Sequence, residues 1–152
     1  MKNWLKILPL LLIILAGCNV TDEAGAKQVV QKESELEVSD TFTSGSYTMI
    51  GEEGRLGFIY GEAATFKVGQ PNKYMWHFWG TDDELDGTFK VIGTNQDTNE
   101  EVVVFETNEV AGPHNGADAH TPSSMQLPSS GTWELDAYVG GDLFGTVVVE
   151  VK

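Results

Sequence analysis

The chain has 152 residues, with 9 Lys and Arg against 23 Asp and Glu, a formal charge of -14 at pH 7. That balance argues against nucleic acid as a partner, because phosphates demand a basic surface, and against adsorption to anionic lipid headgroups. A single cysteine rules out any intramolecular disulfide.

Two cations, Lys2 and Lys6, open the sequence, and the apolar run Ile7–Leu15, interrupted by Pro9, follows them. A helix that spans a bilayer needs about 20 apolar residues, so this run fits an export signal better than a permanent span. It ends in Leu15-Ala16-Gly17-Cys18. The tetrapeptide resembles the lipobox of bacterial lipoproteins. The resemblance implies that the Cys18 thiol receives a diacylglyceryl group and that a signal peptidase cuts just before it. An exported protein with one unpaired thiol calls for an explanation, and acylation supplies one. Buried methylene groups contribute about 0.8 kcal/mol each, and two acyl chains make a stable anchor.

Residues 1–17 are therefore read as a lipoprotein signal peptide. The expected location is the outer, extracytoplasmic face of a cell membrane, held by lipid. No cofactor is expected beyond that lipid. Loss of residues 1–17 removes Lys2 and Lys6 but no acid, which leaves 7 basic and 23 acidic residues and a charge of -16.

Residues 18–40 comprise the lipidated cysteine and a polar stretch without aromatic residues. Val29, Val30, Leu36 and Val38 bury too little to fold alone, so the stretch reads as an acidic tether. As a flexible chain of about 22 residues it would span roughly 25 Å.

Residues 41–152 are expected to form one all-β domain. Upstream, Tyr47–Ile50, Arg55–Tyr60 and Thr65–Val68 are short strand-like runs separated by glycine-containing turns. Tyr74–Trp79 alternates two side-chain sets, with Tyr74, Trp76 and Phe78 expected inward and Met75, His77 and Trp79 on the other face. Gly87–Gly93 and Glu101–Glu106 flank a polar turn and read as a hairpin. Thr132–Val139 alternates Trp133, Leu135, Ala137 and Val139 on one side, and Leu143–Val151 returns after Gly140-Gly141-Asp142. About seven short strands with frequent turns and no convincing helix favour a β-sandwich.

The segment Leu127–Val139, with its proline and glycine corner and Trp133 entering a strand, then Gly145–Val151, resembles the last two strands of bacterial immunoglobulin-like domains. That resemblance implies an immunoglobulin-like β-sandwich with Trp76 as a core tryptophan. The whole chain is also similar to small lipoproteins of Gram-positive bacteria. Such a fold serves many functions and names none.

Three stretches carry chemistry worth testing. Residues 111–125 hold His114, Asp118, His120 and Met125, whose imidazole, carboxylate and thioether groups suit zinc or copper. Two histidines six apart match no established metal spacing, and a polar loop at the sandwich edge is the plainer reading. Met75, His77 and Trp79 would form a binding surface if their face is open, because exposed aromatic groups anchor partners. Asp82-Asp83-Glu84 with Asp86 departs from the calcium-loop pattern and reads as a solvated turn. No catalytic residue is singled out, since no nucleophile elbow, zinc-protease helix or phosphate loop occurs. The expected function is a non-enzymatic interaction module for an unknown protein, peptide or glycan ligand, with a metal-handling lipoprotein as the alternative.

Overall fold

The computed structural model describes residues 36–152. The signal segment, Cys18 and residues 19–35 of the expected tether lie outside them. Nine strands form two antiparallel sheets, which makes the described chain a β-sandwich. The first sheet is ordered β1-β2-β3-β4-β7, from Thr41–Ser44, Tyr47–Glu52, Leu56–Ile59, Asn72–Phe78 and Ala119–Met125. The second is ordered β6-β5-β8-β9, from Glu101–Thr107, Phe89–Asn95, Gly131–Val139 and Asp142–Val151.

Alternation decides the inner faces, because successive strand side chains point to opposite sides. Tyr74, Trp76 and Phe78 of β4 are buried, as are Trp133, Leu135, Ala137 and Val139 of β8. Both sets are the ones the sequence pattern predicts. The two sheets meet through aromatic rings: Phe89 of β5 lies 5.5 Å from Trp76 and 5.0 Å from Phe78, edge to face in both cases. Such pairs contribute about 0.5–1.5 kcal/mol beyond the area they bury. No buried side-chain polar atom among the described residues lacks a hydrogen-bond partner.

Nine strands replace the expected seven or so, for local reasons. β1 is four residues long, too short to print a pattern. β7 falls inside the 111–125 stretch read as a loop. Conversely, Thr65–Val68 is no ladder strand: Phe66 alone forms a parallel bridge to Val151, and its ring is buried. Backbone bonds from Val68 N to Lys152 O and from Lys152 N to Phe66 O lay this segment along β9.

Ser39 and Asp40, placed in the tether by composition, already belong to the fold. Ser39 N donates to Val148 O at 3.0 Å, Val148 N donates to the Ser39 hydroxyl at 2.8 Å, and Gly51 N donates to Asp40 O at 3.1 Å.

Candidate functional site

The chain has three histidines, and the fold gathers all of them on the outer face of the first sheet. β4 pairs with β7 in a register that sets His77 directly opposite His120. His114 arrives from a different direction. Ala111 bridges His120 and His114 bridges Ala117, so residues 111–120 form a short hairpin whose return arm runs into β7. Its two-residue turn is Asn115-Gly116, with φ of 49° and 82°. Two consecutive positive φ values are what a type I′ turn requires, and Asn-Gly is its preferred pair.

The hairpin is fixed to the sheet by side chains. Trp79 Nε1 donates to Gly116 O at 2.9 Å, and the Ser44 hydroxyl donates to Asn115 O at 3.1 Å. Gly80 N donates to Asp118 Oδ2 at 3.0 Å. Asn115 Nδ2 donates to His77 Nε2 at 3.2 Å, while His77 Nδ1 donates to Met75 O at 3.1 Å. These two bonds define one tautomer, with the His77 proton on Nδ1. Burial pulls the His77 pKa below its ordinary value; the Met75 carbonyl opposes this shift, and neighbouring His114 and His120 add to it.

The rings form a column. Trp79 and His77 stack at 6.4 Å, His77 and His114 at 6.0 Å, and His114 and His120 lie 4.6 Å apart, tilted by 34°. His120 Nδ1 donates to Gly112 O at 2.7 Å, which leaves its Nε2 with the lone pair.

The residues singled out from sequence are thus partly united and partly separated. Met75 and Trp79 are half-buried and His77 is fully buried, because the hairpin lies over this face. Of the Met75–His77–Trp79 face, His77 is closed off while Met75 and Trp79 stay partly exposed. His114 and Asp118 are exposed and His120 is half-buried. Met125 cannot join them. It lies five positions beyond His120 along β7, an odd offset, so it points to the opposite face, and it is 0% exposed within the core. Among the described residues, no three of His, Cys, Asp and Glu are arranged to hold one ion.

Asp82–Glu84 behaves as a turn. Glu84 accepts from the Thr81 amide and hydroxyl and pairs with Arg55 at 3.0 Å. The Thr81 amide, then the Arg55 guanidinium, holds the Glu84 carboxyl below the usual range. Arg55 also lies 3.6 Å over the Phe144 ring and donates to Phe144 O at 2.9 Å. An open cleft of about 410 Å³ lies beside this group, with Asp86 and Asp142 on its rim.

Sequence reading missed the union of His77 with the other two histidines, and it missed Asn115. The Asn-Gly pair was the available signal for the hairpin; the β4–β7 register had none.

No curated protein sequence matches the chain. A crystal structure of "a Putative Lipoprotein from Bacillus anthracis" is similar, with a TM-score of 0.61 and 22% identity over 80% of this chain and 89% of that one. A superoxide reductase (neelaredoxin) from Ignicoccus hospitalis gives a TM-score of 0.40 and 12% identity over 64% of this chain and 80% of that one. The first likeness agrees with the two-sheet fold. Residues 26–149 match the family described as "Domain of unknown function (DUF4871)", and the chain belongs to that family.

Proposed function

We propose that the chain is a lipid-anchored extracytoplasmic protein whose immunoglobulin-like β-sandwich is a non-enzymatic interaction module. Anchoring rests on Leu15-Ala16-Gly17-Cys18 at the end of a short apolar run. It is supported by the fold likeness to the Bacillus anthracis protein. Among the described residues no helix is long and apolar enough to cross a membrane. The lipid on Cys18 would hold a strongly acidic domain at a surface that its own charge avoids.

The observation that carries the interaction role is the fixed 111–120 hairpin. Trp79, Ser44, Gly80 and His77 each bind it before any ligand arrives. A segment ordered in advance loses little entropy on binding, and loops on a rigid sandwich are where such scaffolds carry contacts. The ligand class is a protein, peptide or glycan of the cell envelope.

Hydrogen exchange of the membrane-anchored chain tests this, alone and with a cell-wall glycan preparation or a secreted-protein fraction. Protection centred on residues 111–118 is expected with one of them. Unchanged exchange with both would defeat the interaction role and leave anchoring intact. Anchoring has its own test: Cys18→Ala should move the protein from the membrane fraction to the soluble one without changing its melting temperature.

A further inference from the structure

We infer that His114 and His120 form a site for one borderline divalent transition ion, zinc, copper or nickel, held by two imidazoles and completed by water. This is independent of the anchoring and differs from the four-residue set suggested by sequence. Met125 is in the core, and Asp118 accepts from the Gly80 amide.

Geometry supports the pair. With metal–nitrogen bonds of about 2.0–2.1 Å, two imidazoles on one ion have ring centroids about 5 Å apart. The His114 and His120 centroids are 4.6 Å apart. Their backbones are fixed independently of any ion, His120 by its pairing with both Ala111 and His77, and His114 by the Asn-Gly turn.

Orientation supports it too. Ligating histidines commonly donate their second ring N–H to a backbone carbonyl, which fixes the tautomer and raises ligand basicity. His120 does this through Nδ1 to Gly112 O at 2.7 Å, presenting Nε2 as a donor atom. The exposed His114 ring makes no hydrogen bond among the described residues, so it can turn toward an ion without breaking one. His77 is not a ligand, because both of its nitrogens are engaged, one to Met75 O and one to Asn115 Nδ2.

The ligand chemistry sets the choice of ion. Neutral imidazole suits zinc, copper and nickel, whereas magnesium and calcium prefer oxygen. Surface carboxylates offer only oxygen, so magnesium reports binding to them alone and serves as the control.

The test uses the full chain carrying Cys18→Ser, which leaves no thiol, in detergent at pH 7.5. Calorimetric titration with zinc, copper and nickel chlorides is compared with magnesium chloride. One ion per chain is expected for at least one of the three, with no matching magnesium site. His114→Ala and His120→Ala should each weaken binding about tenfold or more, and His114→Ala should melt at the parent temperature because that ring is exposed. Absence of a saturable site for all three ions would overturn the inference. So would undiminished binding in the double variant His114→Ala/His120→Ala, which would place the ion on surface carboxylates.

Discussion

At the scale of single residues, two side chains have consequences that contacts and burial make measurable. Asn115 combines a left-handed backbone with the bond that satisfies buried His77. Replacing it with Gly keeps the turn but leaves His77 Nε2 without its donor. A buried group left unsatisfied costs about 1–3 kcal/mol. Asn115→Ala should cost more, since a left-handed conformation penalises a Cβ by roughly 1–2 kcal/mol. Urea midpoints ordered parent, then Gly, then Ala are expected; equal midpoints would refute the pairing. Glu134 presents the opposite case. Burial first, then the nearby Asp136 carboxylate, raises its pKa above the ordinary value. A raised carboxylate favours folding in its protonated form: that contribution is full below the unfolded pKa near 4 and is lost as pH rises through the raised value. At pH 7 the charged acid is therefore a cost. Glu134→Gln should stabilise the fold at pH 7, by less than about 1 kcal/mol because solvent screens a half-exposed charge. The gain should vanish near pH 4, and a gain independent of pH would contradict this origin.

At the scale of elements, β7 is where sequence reading and structure part, and its composition says why. Its inward residues are Ala119, Thr121, Ser123 and Met125, so two of four core positions are polar and the apolar alternation is broken. Pro122 argues against a central strand, yet β7 has a ladder partner only in β4, and an edge tolerates the missing donor. Ser123 compensates for its polarity by accepting from Trp76 Nε1 at 3.1 Å and donating to Tyr74 O at 3.3 Å. Ser123→Ala should thus cost about 1–3 kcal/mol by stranding the buried indole N–H, read as a lowered urea midpoint. A change of a few tenths would mean that Trp76 finds another acceptor. By contrast β8 and β9 were plain in the sequence. Trp133, Leu135, Ala137 and Val139 keep strict alternation beside a glycine turn, and the hairpin needs only local pairing. The histidine column depends on the opposite kind of contact. His77 and His120 meet through strands 43 residues apart in the chain, and no periodicity records which strands become neighbours.

At the scale of the whole molecule, charge is the dominant uncompensated term. The chain carries 23 acidic and 9 basic residues. The described residues contain three ion pairs, Arg55–Glu84, Lys90–Glu106 and Lys152–Glu150, all at least partly exposed. Pairs of this kind contribute about 0–1 kcal/mol each, which is too little to offset repulsion among the remaining carboxylates. Self-repulsion of a high net charge opposes the compact state. It is also long-ranged at low salt, where the Debye length is about 30 Å at 0.01 M, and short-ranged at about 8 Å near 0.15 M. Stability should therefore rise as sodium chloride increases between those concentrations. A gain on the order of 1 kcal/mol would lift the melting temperature by about 4 °C in a domain of this size. The three exposed pairs would weaken over the same range, so a net rise means that repulsion outweighs them. A melting temperature that stayed level or fell with added salt would show that the surface carboxylates are too far apart to oppose folding.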